Sequence, residues 1–494
     1  MNKPYKYLFL PDKHDLRYYL INKPCRISHL PTRYINNIDF TLFLRRFSMH
    51  QSDVADRSLF SLSWPIFIDI FLHLATLLIN TYMVSHVSTA YLAAMGVGNQ
   101  VFDLFITIFS FISVGCSVVI AQYLGAGKKE KASQAIHISI AFNSLLGMSS
   151  ALIILFFGYK ILHIMNTPEH LVQDGYNYLH IIGICLIPEA ISIILAACLR
   201  VYGKSKAAMY VTLIANIVTV IGNMIVLYGF FGLPQYGLVG VAWSTVVGRI
   251  IAVILLCGLL FYGLRIKFEA KQLVVWSKNM LGKILHIGLP AAGENLVWIL
   301  HYMTASAFIG LMGEVPLAAQ TLYFQLSLFL MLFGIAISIG NEILVGHLVG
   351  AKRFDDAFAR GWKSLKTGVI FTIGVVIVYW FMRDPILYSI TEDQRIIDQL
   401  IPLFILSVFL EPGRTFNIVM VNALRAAGDA KFPLMTAICF MWGVAIPVGY
   451  FLGIKMEMGL IGIWIGFLCD EWLRGLTNAW RWRSRKWQAK RLDI

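Results

Sequence analysis

Twelve stretches of mostly apolar residues, each long enough to cross a bilayer, follow one another from residue 62 onward with short polar joints between them. A helix needs about 20 such residues to span the hydrocarbon layer, and there every backbone N–H and C=O must find its partner inside the segment. An all-α integral membrane fold is therefore expected. The predicted spans are 62–85, 97–124, 134–157, 177–200, 208–229, 238–264, 284–311, 320–348, 365–382, 400–424, 433–453 and 459–477. Composition agrees, since only 14% of the 494 residues are charged where a soluble chain carries about 25%. A soluble enzyme, a DNA-binding factor and a disordered scaffold are excluded, despite a net charge of +14.

The basic residues are distributed by position. Of 41 Lys and Arg, 35 fall in the N-terminal segment, in the joints after even-numbered spans, in the tail or at the span ends bordering these, and four fall in the opposite joints. Lys and Arg gather in cytoplasmic loops of membrane proteins, so an even number of spans with both termini cytoplasmic is expected. The remaining two, Arg249 and Arg414, lie inside spans. The seven cysteines form no metal-ligand spacing and read as apolar packing residues.

The chain repeats itself at an offset of 225 residues. Trp64-Pro65 and Asp69 pair with Leu289-Pro290 and Glu294, Leu92-Ala93-Ala94 with Leu317-Ala318-Ala319, and Gln100 with Gln325. Ile112-Ser113-Val114-Gly115 pairs with Ile337-Ser338-Ile339-Gly340, Leu124-Gly125-Ala126 with Val349-Gly350-Ala351, and Leu199-Arg200 with Leu424-Arg425. Each half holds six spans, an even number, so the halves enter the membrane in the same sense. Two parallel six-helix repeats, an N and a C lobe around a central cavity, are the expected architecture. The divisions are a cytoplasmic segment 1–60, an N lobe 61–264, a cytoplasmic linker 265–283, a C lobe 284–477 and a basic tail 478–494. The aromatic and basic residues from Trp480 to Trp487 read as an interfacial anchor on anionic lipid.

These residues resemble the multidrug and toxic compound extrusion (MATE) family of twelve-helix antiporters. The likeness is carried by the prolines of spans 1 and 7, the Leu-Ala-Ala triplets, and the Gly-Ala-Gly-Lys and Gly-Ala-Lys-Arg turns at 125–128 and 350–353. The turns at 197–206 and 422–431 add to it. The resemblance implies export of organic, often cationic, compounds in exchange for protons or sodium ions and, with no organelle-targeting feature in the sequence, a bacterial inner (plasma) membrane as the expected location. Acids that family members often carry fall here on Asn80, Asn223, Trp298 and Arg414.

An ionisable side chain inside a span costs about 2.5–3.5 kcal/mol at the helix centre, which makes each one a functional candidate. Asp69, His73, Thr76 and Asn80 recur at i, i+4, i+7 and i+11 and form one polar stripe. Glu294, Trp298 and His301 occupy the matching face in the second half. Asp69 and Glu294 are the expected proton sites, one per lobe, or else partners of a neighbouring helix or an intramembrane arginine. Asn216, Thr219 and Asn223 form a neutral polar face that serves either binding or interhelical hydrogen bonds. Glu189, and Glu411 with Arg414, read as surface or gate pairs near the external ends of their spans. Arg249 and Glu471 read as an interlobe ion pair or as snorkelling helix ends. Trp298, Tyr302, Tyr323 and Phe324 could stack on a flat cation.

No nucleotide-binding Gly-rich loop and no hydrolase motif is present in the sequence. The expected activity is secondary antiport of small organic compounds against H⁺ or Na⁺ by a monomer, without cofactor, metal or nucleic acid. A flippase for lipid-linked saccharide precursors is the alternative.

Overall fold

The computed structural model describes residues 54–165, 167–229, 232, 234–274 and 277–493. The expectation for 1–60 thus lies almost wholly outside the described residues. Twelve long helices are present among the described residues: α1 (Leu59–Ser85), α2 (Thr89–Gly125), α3 (Lys129–Ile164), α4 (Glu169–Val201), α5 (Ser205–Tyr228) and α6 (Gly237–Gly263), then α7 (Lys278–Gly310), α8 (Glu314–Gly350), α9 (Phe354–Phe381), α10 (Gln394–Ala426), α11 (Lys431–Lys455) and α12 (Leu460–Arg483). A short helix at Val54–Asp56 precedes α1, and others at Ala270–Val274 and Arg383–Ile390 lie between the long ones. No strand is found among the described residues.

Several helices begin or end where the sequence supplies the chemistry. Ser58, Ser88 and Ser277 accept hydrogen bonds from the backbone N–H groups of Ser61, Tyr91 and Met280, at 3.2, 3.3 and 3.3 Å, each covering a donor the helix cannot satisfy itself. Gly229 ends α5 with a φ of 68°, a left-handed cap that a residue with a Cβ adopts only at a cost. The helices overrun the predicted spans by several residues at the polar ends. Consequently α7 begins at Lys278 inside the expected linker, and α12 runs to Arg483 inside the expected tail. Ten of the twelve meet a simple test of length and mean hydropathy. The other two are α7, diluted by Glu294, Asn295 and His301, and α12, which carries Asp470, Glu471 and Arg474.

Each half has its own core. In the N lobe Met83, Phe102, Phe109, Tyr178, Leu186 and Val246 belong to a cluster built on α1, α2, α4 and α6. In the C lobe Tyr323, Phe404, Leu410, Trp464 and Phe467 do the same on α8, α10 and α12. The lobes meet mainly through α1, α2, α7 and α8.

That seam is two-fold symmetric at the level of atoms. Gly125 of α2 packs on the carbonyl of His347 in α8, and Gly350 of α8 packs on the carbonyl of Gln122 in α2. Gln122 Nε2 donates to the Ala426 carbonyl at 2.6 Å, and its repeat equivalent His347 Nε2 donates to the Val201 carbonyl at 2.9 Å. Gly115 likewise abuts the Ile284 backbone and Gly340 the Ser63 hydroxyl. All these contacts lie toward the end that bears the α2–α3 and α8–α9 turns, here termed the basic end. Arg353–Asp56 (3.0 Å) and Lys283–Tyr123 (3.2 Å) join the lobes there as well. The structure therefore has its basic end shut.

The tail differs from the lipid anchor expected of it. Trp480 is exposed, but Trp482 and Trp487 are both 0% exposed and stack on each other with centroids 4.4 Å apart. Their rings are covered by protein because the chain turns back on itself after α12.

Candidate functional site

A cavity of about 430 Å³ lies on the seam, lined by Ser110, Phe111 and Val114 of α2 and by residues of α7, α8, α10, α11 and α12. Its apolar wall includes Trp298 and Phe324, whose rings approach to 6.1 Å, while Tyr302 stacks behind Trp298 at 5.6 Å. Its polar wall is ionic, formed by Glu294, Arg414, Asn417, Arg425, Glu471 and Arg474. Tyr323 is withdrawn from this surface, fully buried with its hydroxyl 2.7 Å from Ser407.

Every acid in that wall has an arginine. Arg425 Nη2 donates to Glu294 Oε2 at 2.6 Å, bridging α10 and α7. Arg414 meets Glu411 at 2.9 Å and Glu471 at 3.8 Å, and lies over Trp464. Arg474 meets Asp470 at 2.5 Å and Glu471 at 3.0 Å. The remaining Glu471 oxygen accepts from Asn417 at 2.8 Å. Buried charges persist only when paired and hydrogen-bonded in this way.

The N lobe repeats the arrangement. Asp69 of α1 pairs with Arg200 in the last turn of α4, and adding 225 to each number gives Glu294 and Arg425. A smaller cavity of about 90 Å³ beside it is lined by His73, Thr76, Asn80, Asn99, Asp103, Tyr178, Asn216, Thr245 and Arg249, among others. Arg249 pairs with Glu189 at 3.0 Å. Asn223 donates to Asn80 Oδ1 at 2.9 Å and Asn216 to the Leu72 carbonyl at 3.2 Å, tying α5 to α1.

Of the residues singled out from sequence, Glu294, Trp298 and Arg414 line the larger cavity, and His73, Thr76, Asn80 and Asn216 the smaller one. Thr219 and Asn223 are buried and bond within the lobe, and His301 is buried against Phe467, away from both cavities. Two further expectations are corrected. Glu189 and Glu411 are 5% and 1% exposed in helix interiors, so they are internal pairs rather than surface ones. Arg249 and Glu471 do not bridge the lobes, because each finds a nearer partner in its own.

Sequence reasoning missed the arginines that meet the acids. Arg200, Arg425 and Arg474 sit at or near span ends and were read as loop charges, although the repeat pairing of Arg200 with Arg425 carried the signal. It also missed Asp103, which shares a face of α2 with Asn99 and Ser110 at i−4 and i+7. Among the described acids in span interiors, Asp103 and Glu342 have carboxylates with no hydrogen-bond or ion-pair partner, although the Asp103 backbone carbonyl accepts from Thr107.

The MatE family model matches residues 65–225 and 290–451, once in each lobe. The chain is 37% identical over 433 residues to the uncharacterized transporter YisQ of Bacillus subtilis, covering 88% of this chain and 95% of that one. A probable multidrug resistance protein, NorM of Acinetobacter baylyi, is 25% identical over 83% of this chain and 92% of its own length. Among solved structures, a MOP superfamily transporter of Pyrococcus furiosus, whose reversed binding-pocket polarity suggests a different function, superposes with a TM-score of 0.80. The identity there is 19%, over 90% of this chain and 97% of the other. An outward-facing multidrug resistance MATE transporter also gives 0.80, at 19% identity over 86% and 95% of the two chains. The chain belongs to the MATE family and is a multi-pass membrane transporter, not an enzyme.

Proposed function

We propose that this transporter exports small organic compounds by alternating access of its two lobes, in exchange for protons or sodium ions. The observation that carries the reading is the cavity on the seam above a shut basic end. About 430 Å³ falls within the roughly 300–1,000 Å³ of small-molecule sites. A lipid-linked saccharide would need more room and a basic wall free to hold a pyrophosphate, whereas the three arginines here are already paired with acids. The basic end is the cytoplasmic one, following the distribution of Lys and Arg, so the described conformation faces outward and both ends of the chain lie inside the cell.

The paired acids and the unpaired Asp103 have different parts. A proton or sodium ion competes with the arginine for the carboxylate of Asp69 or Glu294, while an acceptor group on a substrate competes with the carboxylate for the guanidinium, so these pairs respond to ion and substrate together. Asp103 can take a proton without breaking any pair. It faces His73 of α1, Tyr178 of α4 and Arg249 of α6 across the small cavity, with Glu189 behind Arg249.

The test is efflux of fluorescent organic compounds, cationic and anionic, from reconstituted vesicles under separately imposed proton and sodium gradients. Asp69→Asn, Glu294→Gln and Asp103→Asn proteins are run beside the unmodified chain. Gradient-driven efflux that weakens in these variants supports the reading. Absence of efflux of every compound under both gradients overturns it.

A further inference from the structure

The chain does not leave the protein at the end of α12. Arg485 adopts a φ of 56° and turns the backbone, after which Lys486–Lys490 form a single 3-10 segment. The Trp487 indole N–H donates to the Trp482 carbonyl at 3.0 Å while its ring stacks on that of Trp482. Arg485 pairs with Asp355 at 2.6 Å and lies over Phe358, and Arg491 lies over Phe354, so the start of α9 holds the strap from one side. Gly428, at a φ of 98° in the α10–α11 turn, passes directly beneath it. A Cβ there would sit 2.5 Å from the Lys490 carbonyl oxygen.

The strap ends at the seam. The Asp493 carbonyl accepts from Lys283 Nζ at the start of α7. The same ammonium donates to the Tyr123 hydroxyl of α2 at 3.2 Å and lies 5.6 Å from the centre of that ring. Lys283 is thus held by the C lobe's own tail on one side and grips the N lobe on the other. Arg491, Leu492 and Asp493 also wall a cleft of about 610 Å³, whose opposite side is Gly125, Ala126 and Lys128 of the N lobe.

We propose that residues 485–493 are a latch on the basic-end gate: by fixing Lys283 against Tyr123 they bias the transporter toward the state in which that end is shut. The proposal rests on the alternating-access reading. When the lobes rock apart at this end, the strap travels with α9 and α12, and the Lys283–Tyr123 link must break. A lysine is a flexible point charge that loses rotamer freedom when it is fixed. The Asp493 carbonyl meets that cost beforehand and pre-orients the link.

The experiment places spin labels at Lys131 and Lys363, exposed on opposite lobes near the basic end, in the full chain in lipid nanodiscs. Interlobe distances are measured for Trp487→Ala, Lys283→Gln and the double variant. Each single variant is expected to raise the open-to-shut ratio by about threefold to tenfold, equivalent to about 0.7–1.4 kcal/mol. The double variant is expected to shift it no further, because both act through one link. Tyr123→Phe, which removes one hydroxyl and leaves the Trp482–Trp487 stack intact, is expected to shift it the same way and guards against misfolding of the tryptophan variant. Two populations whose ratio ignores Lys283→Gln and Tyr123→Phe, or single effects that simply add, overturn the latch. One unvarying population in every protein overturns the latch together with alternating access.

Discussion

The symmetric crossing of α2 and α8 can be broken by a single methyl group. An alanine Cβ at position 350 would lie 2.7 Å from both the carbonyl carbon and the Cα of Gln122, and one at position 125 would lie 2.8 and 3.0 Å from the same atoms of His347. Carbon atoms pack at about 3.5–4.0 Å, so either substitution pushes the helices apart by roughly 1 Å. The atoms in the way are backbone and cannot rotate aside. Overpacking of this kind costs about 1–3 kcal/mol, and it falls only on the conformation with the basic end shut. Gly350→Ala is therefore expected to move the open-to-shut ratio by a factor of about 5–150, and Gly125→Ala by a similar factor. Spin labels at Lys131 and Lys363 read the shift directly. A distance distribution unchanged in both variants would refute the claim that this crossing closes the gate.

Other outcomes follow from the buried charges and the tail. Glu294→Ala leaves Arg425 mostly buried and unpaired and should cost up to about 3 kcal/mol, lowering the thermal midpoint in detergent; Glu294→Gln with Arg425→Gln should restore part of the loss, and an equally unstable double variant would speak against the pair. Asp103→Asn breaks no ion pair, so its midpoint should stay near that of the parent while the pH dependence of efflux flattens. An unaltered pH profile would remove Asp103 from coupling. Gly361→Ala would bring a Cβ within 2.8 Å of the Trp482 ring and should destabilise the basic end of the C lobe by about 1–3 kcal/mol, seen as faster hydrogen exchange in α9 and the strap; exchange unchanged there would contradict the packing described.

Much of the fold could be read from the chain because two of its signals are one-dimensional. Apolar length marks a span, and a constant offset marks a repeat, so Gly125 with Gly350 and Asp69 with Glu294 stand out as pairs in the sequence alone. What those pairs touch was not visible. Gly125 faces His347 rather than its own counterpart, because a two-fold axis sets each residue against the neighbour of its equivalent. The same limit hid the site's electrostatics. Asp69 and Glu294 were identified as acids, but whether each met water, a substrate or a guanidinium depended on where α4 and α10 end, and the arginines of those last turns looked like loop charges. Trp482 and Trp487 misled for a related reason: a run of Trp and Arg after a final span has the composition of a lipid anchor, and only the reversal at Arg485 turns it inward.

Locking the gate tests alternating access most directly. A Cβ at Gly346 of α8 would lie 2.8 Å from the Ala121 Cβ of α2, so with a separation of about 1 Å a disulfide between cysteines placed there reaches ordinary geometry. In a background with the exposed Cys439 replaced by Ser, oxidation of the Ala121→Cys, Gly346→Cys protein is expected to stop efflux from reconstituted vesicles, and a reductant to restore it. Efflux that continues at the same rate with the bond formed would contradict the account.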